Sequence, residues 1–334
     1  MPFSFSRPAL MLFAALFVVM IPGAAFFADT PYKYYLTGSD ADVQKKTTAG
    51  FALVGGGKDQ DSVTRWFLER SGGGDVVVLR ASGADGYNSY MKGLSAIDSV
   101  ESLVVATPEA ARDPFVAGRI RKAEALFIAG GDQWNYVRMW NHTPVSEAIQ
   151  YLIDKGVPVG GTSAGLAVLG EYLFTAEKDT VTTAQALANP FDEHVTVATD
   201  FLRIPALKGV ITDSHFHARD RMGRTLAFLA RMLHDGKLKE ARGIAIDERT
   251  GALTEAGGHV AVDGEGSVYF LRARTPAEVC KPGTPLTFRG IEVYRAPKGG
   301  DFDLKTWSGH GGVAYTLDVV NGVIHSTQPG GDTY

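Results

Sequence analysis

Four short, uniformly apolar runs constrain this chain more than any other feature. They are Phe51-Ala52-Leu53-Val54, Val76-Val77-Val78-Leu79, Leu103-Val104-Val105 and Ala125-Leu126-Phe127-Ile128-Ala129. A strand with one wet face alternates apolar and polar residues; runs without alternation are covered on both faces. Between them lie amphipathic stretches. Residues 61–70 carry Val63, Trp66, Phe67 and Leu68 on one side, and Val145, Ala148, Ile149 and Leu152 follow the i, i+3, i+4, i+7 spacing of a helix ending at Gly156. Buried strands alternating with helices predict an α/β three-layer sandwich around a central, mainly parallel sheet. Functional residues then belong in loops at the carboxyl ends of the strands, where Gly55-Gly56-Gly57 and Gly130-Gly131 fall.

The two ends differ from this middle. Arg7, an apolar run over residues 9–21, Pro22-Gly23 and small residues up to Ala25 or Ala28 read as a signal peptide over residues 1–28. The run is short for a membrane span, which needs about 20 apolar residues, and the alternative is an uncleaved N-terminal anchor. Residues 29–50, polar with Tyr34 and Tyr35 and no clear period, read as a surface arm. The core domain is expected over 51–248. Beyond it, Gly257-Gly258, Asp263-Gly264, Pro297-Lys298-Gly299 and Asn321-Gly322 separate short alternating runs, which predicts a β-rich C-terminal extension over 249–334. A net charge of -4 over 334 residues gives no reason to expect nucleic acid as a partner, or a membrane for the mature form. The single cysteine, Cys280, excludes an internal disulfide and reads as a buried small hydrophobe.

Gly161-Thr162-Ser163-Ala164-Gly165 follows the strand-like Val157-Pro158-Val159 and precedes the helical Leu166-Ala167-Val168-Leu169. Strand, glycine turn and helix are the setting of a nucleophile elbow, which lifts a serine hydroxyl clear of the backbone. A base is then needed, and His215 stands just after the strand-like Gly209-Val210-Ile211. His215-Phe216-His217 also has the alternate spacing of a metal pair. No third ligand is grouped with it, so neither metal nor cofactor is expected. Arg221 and Arg224, three apart, share a helical face; they suit either a substrate carboxylate or ion pairing on the surface.

Three blocks in order carry a resemblance: Phe127-Ile128-Ala129-Gly130-Gly131-Asp132-Gln133, the Ser163 turn, and Asp213-Ser214-His215-Phe216 with Arg219, Arg221, Gly223 and Arg224. Together they resemble the cyanophycinase and aspartyl dipeptidase (dipeptidase E) family of serine peptidases, over residues 51–248. Gly243-Ile244-Ala245-Ile246-Asp247-Glu248 is similar too. That resemblance implies a flavodoxin-like, class I glutamine amidotransferase-like fold with serine in place of cysteine. It implies Ser163 as nucleophile, His215 as base, and the N–H groups of Gly131 and Ala164 as oxyanion donors. Gln133, Asp213, Arg219, Arg221 and Arg224 would contact an aspartyl substrate. The triad acid is expected just beyond the elbow helix, at Asp179, with Glu177 as the alternative. Ser214 stands where cyanophycinases usually carry glutamine, and the long interval from Ser163 to His215 points to an insertion around residues 185–199.

These readings predict an exported enzyme that hydrolyses amide or isopeptide bonds of aspartyl peptides. Its partners are a peptide or isopeptide substrate and, at most, a second copy in a homodimer. Three rivals stay open on sequence: an amidotransferase-like domain turned to ligand binding, a metal-dependent hydrolase built on His215 and His217, and an ordinary α/β-hydrolase esterase.

Overall fold

The computed structural model describes residues 1–3, 30–236 and 238–334. The leader expected over residues 1–28 lies outside them, its first three residues excepted. Among the described residues, no helix is long and apolar enough to cross a membrane.

The first half alternates strand and helix as the apolar runs require. β1 (Lys33–Gly38) and β2 (Gly50–Val54) lead into α1 (Asp61–Glu69), β3 (Asp75–Arg80), α2 (Gly86–Leu94) and β4 (Ser99–Val104). Then come α3 (Pro108–Arg112), α4 (Pro114–Lys122), β5 (Ala125–Ile128), α5 (Gln133–Trp140), α6 (Pro144–Lys155), β6 (Val159–Thr162) and α7 (Ala164–Ala167). Local chemistry sets the helix ends. Thr107 and Asp113 accept hydrogen bonds from the Ala110 and Phe115 N–H groups, with proline at the first helical position of α3 and α4. Gly156 closes α6 with φ of 79°.

Strands β4, β3, β5, β6 and β2 lie side by side in that order, all parallel. Alternate residues of one strand enter opposite cores. Val76 and Val78 meet Phe67 and Leu68 of α1 and Met91 of α2. Val77 and Leu79 meet Ile120, Trp140 and Leu152 of α4, α5 and α6. Both faces are therefore apolar, which is why the run Val76-Val77-Val78-Leu79 has no alternation.

The polar arm is more ordered than its sequence suggests. β1 pairs antiparallel with β4, from Lys33 opposite Val104 to Gly38 opposite Ser99, and edges the sheet. An edge strand needs little apolar surface. Tyr34 meets Phe115 edge-on at 5.2 Å, with the Arg119 guanidinium over its ring.

The second half holds β7 (Leu173–Phe174), α8 (Thr183–Ala188), β8 (Val197–Ala198), β9 (Val210–Asp213), α9 (Met222–Gly236) and β10 (Ala241–Ile246). After these come β11 (Thr250–Glu255), β12 (His259–Gly264), β13 (Ser267–Ala273), β14 (Phe288–Pro297), β15 (Asp301–Asp303), β16 (Ser308–His310), β17 (Val313–Val320) and β18 (Val323–Ser326). The chain is β-rich here, as the turn spacing predicts, yet these strands are not appended apart. β11, β12, β15 and β16 extend the first sheet beyond β2, to ten strands. A second sheet runs β18-β17-β14-β13-β10-β9, with only β9 and β10 parallel. Pro31–Tyr334 is one compact unit. Cys280 is buried, as its reading requires.

Phe302 of β15 stacks on Phe270 of β13 with ring centroids 3.7 Å apart, and both are fully buried. This contact joins the two sheets through one core. Phe302→Ala is expected to lose about 4 kcal/mol of stability. Urea unfolding should stay a single transition shifted as a whole; a separate early transition would mean that the C-terminal strands fold independently.

Candidate active site

The parallel strands end around Ser163, in the turn from β6 to α7. Its backbone sits at φ 54° and ψ -116°, a region that L-residues with a side chain rarely adopt. Packing enforces it. The Ser163 N–H donates to the Val54 carbonyl at 3.0 Å, and the Ser163 carbonyl accepts from Ala167 N–H at 3.0 Å. The flanking glycines are required by close approach: a Cβ on Gly161 would lie 2.4 Å from the Gly165 carbonyl oxygen, and one on Gly165 would lie 2.0 Å from that of Ile128. Strain of this kind costs about 1–3 kcal/mol and aims the side chain outward. The elbow helix is a single turn, α7, whose first residue, Ala164, has an N–H with no acceptor inside the helix.

His215 meets this serine, though not by the expected route. β9 lies in the second sheet, so the histidine is not carried on a neighbour of β6. The two sheets converge instead: His215 N–H donates across to the Gly55 carbonyl at 2.8 Å, while Phe216 N–H continues the second sheet by donating to that of Ile246 at 3.2 Å. Gly56 makes room, since a Cβ there would lie 2.5 Å from the imidazole. Ser163 Oγ stands 2.7 Å from His215 Nε2. On the other side of the ring, Nδ1 lies 2.6 Å from Glu248 Oε1.

The carboxylate facing the histidine is thus Glu248, and the expected Asp179 and its alternative Glu177 are corrected. Asp179 accepts from the Thr180 N–H in an exposed turn, with φ of 80°, and Glu177 is exposed beside it. Glu248 occupies the short link between β10 in one sheet and β11 in the other, which brings it under the imidazole. Burial pushes the His215 pKa below its usual value; the Glu248 hydrogen bond opposes this, and nearby Arg219 and Arg221 add to the depression. Glu248 is held low by its hydrogen bond to His215. The two histidines of the His-x-His pair have different partners: the His217 ring stacks on Tyr334 at 4.5 Å, while both His215 ring nitrogens face Ser163 and Glu248.

Gly130 and Gly131 turn beside the serine, and a Cβ on Gly131 would lie 2.6 Å from the Tyr136 hydroxyl oxygen. A cleft of about 430 Å³ opens here, lined by Gly131, Gln133, Phe174, Arg219, Arg221 and Arg224 among others. Gln133 Nε2 donates to the Phe174 carbonyl at 3.3 Å, which ties α5 to the opposite wall. Residues 185–199 do not line the cleft; α8 packs on α9 instead.

The charged residues divide into two kinds. Asp213 is buried and already saturated: it accepts from Arg224 Nε at 2.8 Å, Thr225 Oγ1 at 3.0 Å and the Ser214 N–H at 2.8 Å. Burial would raise its pKa, but Arg224 and Arg221 outweigh that and hold it below the ordinary value. Asp213 is therefore corrected from substrate contact to internal support. Arg224 is 2% exposed and spends its charge on Asp213. Arg221, 3.5 Å from Asp213, also donates to the Ser214 carbonyl at 2.8 Å and to its hydroxyl at 3.4 Å. Arg219 is exposed at the cleft.

A serine hydroxyl, an uncharged imidazole and a carboxylate in hydrogen-bonded series can form and break an acyl ester. Set at the ends of the parallel central strands of a mixed α/β sheet, this arrangement defines a serine-type hydrolase. Residues 83–192 match the family described as Peptidase family S51. The chain is 28% identical over 273 residues to the cyanophycinase of Trichormus variabilis, covering 77% of this chain and 86% of that one. It is 28% identical over 269 residues to the cyanophycinase of Synechococcus elongatus, covering 76% and 78%. A solved peptidase from an acI-B1 actinobacterium shares the fold, with a TM-score of 0.52 and 17% identity over 78% of this chain and 98% of that one. Over about three quarters of its length the chain is thus similar to cyanophycinases, and about a third of it matches a family of serine peptidases.

Glu248 is the site residue that sequence reading left without a role. Its signal was present: it follows Ile244-Ala245-Ile246, an apolar strand, just as the serine and histidine follow theirs. Glu248→Gln is expected to lower kcat about ten-thousandfold, by analogy with the carboxylate-to-amide change in a serine protease triad. Asp179→Asn should stay within threefold of wild type. Steady-state kinetics on the two variants checks this, and the reverse ranking would restore Asp179.

Proposed function

We propose that Ser163 attacks the carbonyl of an amide or isopeptide bond in aspartyl-containing peptides and carries the acyl group as an ester. The observation that supports this best is the unbroken series Ser163 Oγ, His215, Glu248, with contacts of 2.7 and 2.6 Å. His215 Nε2 takes the hydroxyl proton as Oγ bonds to the carbonyl carbon. The oxyanion receives the N–H groups of Gly131 and Ala164. Glu248 stabilises the imidazolium, which gives its proton to the departing amine as the C–N bond breaks. Water then loses a proton to His215 and adds to the ester, and Ser163 leaves with that proton restored.

Arg219 and Arg221 line the cleft together with Asp132, Glu177 and Asp179, and their guanidinium groups suit a substrate carboxylate. The kinship to cyanophycinases favours β-linked aspartate–arginine units, and N-terminal aspartyl dipeptides are the second candidate. Hydrolysis of both should be measured with wild type beside Ser163→Ala. Turnover of one of them that disappears in the variant is the expected result; turnover retained by Ser163→Ala would sink the reading. Labelling of Ser163 by a phosphonate without hydrolysis of either would move the substrate outside the aspartyl class.

His215 must be uncharged to act as base, and its pKa lies below the usual ~6.5. The acid limb of the kcat/KM–pH profile is therefore expected below pH ~6.5. A midpoint above that value would contradict the buried, arginine-flanked imidazole.

The proposal includes export, on the strength of Arg7, the apolar run over residues 9–21 and the small residues after it. N-terminal sequencing of protein recovered outside the cytoplasm should start just after Ala25 or Ala28; an intact Met1 would count against cleavage.

A further inference from the structure

The turn between β9 and α9 carries His215 at one end and Arg219 and Arg221 at the other. Its histidine end is held from several sides: His215 N–H by Gly55, Phe216 N–H by Ile246, and His217 N–H by Asp247 Oδ1 at 3.0 Å. The arginine end is held within the turn by backbone bonds: Arg219 N–H to the His215 carbonyl at 3.1 Å, Asp220 N–H to that of His217 at 3.0 Å, and Arg221 N–H to that of Phe216 at 3.0 Å. Asp220, between the two arginines, sits at φ 47°, and its carbonyl accepts from the Thr183 hydroxyl.

Tyr334 adds a hold on the Asp220 side chain from outside the turn. Its hydroxyl donates to Asp220 Oδ1 at 2.9 Å and accepts from the Met222 N–H, also at 2.9 Å. Its ring stacks on His217 at 4.5 Å and meets Phe216 edge-on at 5.6 Å. Tyr334 is itself anchored. Its carbonyl oxygen accepts from Arg295 of β14 at 2.7 Å, and the Tyr315 hydroxyl of β17 donates to the Thr333 carbonyl at 3.0 Å. The second sheet thus reaches the rim of the cleft through one side chain. The Arg221 side chain has Asp213 and Ser214 as further partners, whereas Arg219 is placed by the turn itself, through its N–H to the His215 carbonyl at 3.1 Å and through its neighbour Asp220.

We propose that Tyr334 is a positioning residue for substrate binding: through Asp220 it fixes Arg219, and with it the charge presented to the substrate carboxylate. This rests on the aspartyl-peptidase reading above. The Ser163, His215 and Glu248 contacts are made without Tyr334, so binding and chemistry should separate.

In the full chain, Tyr334→Phe keeps the ring packing and removes both hydroxyl bonds. KM for the aspartyl substrate is expected to rise about tenfold, the scale of a hydrogen bond to a charged group, with kcat within twofold. Phosphonate labelling of Ser163, which needs no carboxylate contact, should keep its wild-type rate. Asp220→Ala should reproduce the KM change, and the double variant should be no worse than either single, because both break one link. An unchanged KM in Tyr334→Phe, additive losses in the double variant, or labelling that falls in step with KM would each overturn the proposal. Hydrolysis retained by Ser163→Ala would instead overturn the peptidase mechanism beneath it.

Discussion

The backbone hydrogen bond from His215 to the Gly55 carbonyl closes the junction on which the site depends. Gly55 follows β2 in the ten-stranded sheet, and His215 follows β9 in the six-stranded one. No single sheet carries both serine and histidine. The junction must hold their side chains to hydrogen-bonding distance across two separately registered ladders. The glycine triplet serves this purpose: Gly56 leaves the space that the imidazole fills, and a Cβ on Gly55 would lie 2.0 Å from the Asp247 carbonyl oxygen. Glu248 belongs to the same junction, because the link that carries it passes from one sheet to the other.

Charge is arranged around this junction in two layers. The inner layer is Asp213 with Arg224, buried, hydrogen-bonded and neutral as a pair. Removing one partner of such a pair would strand a buried charge, at a cost of about 3–5 kcal/mol. Its contribution is to pin the start of α9 to the end of β9, so that the intervening turn has fixed ends. The outer layer, Arg219 with Arg221, lines the cleft alongside Asp132, Glu177 and Asp179. It adds to the lowering of the His215 pKa that burial begins.

Much of the fold was legible because local chemistry and burial agreed. The apolar runs became the central strands, the spaced apolar positions became α1, α6 and α9, and the glycine punctuation became the C-terminal strands. The serine, the histidine and the Gly130-Gly131 turn were legible from glycines that only a tight backbone requires. β1 was not, because an edge strand on a covered face carries no strong periodicity. Nor was the sheet membership of β9, since a strand's own residues do not name its neighbour. Asp213 read as a substrate contact because its motif records a residue type, and a buried ion pair and a ligand contact use the same types.

By itself, the sequence determined the fold class, the elbow serine and its histidine, since each follows from residue spacing and backbone sterics within a short segment. Tertiary structure alone decided that Glu248 and not Asp179 faces the histidine, that Asp213 and Arg224 satisfy each other, and that Tyr334 reaches the catalytic turn from 112 residues away. These depend on long-range register between two sheets. Pairing across such distances is set by the packing of the whole core, which no local stretch of sequence encodes.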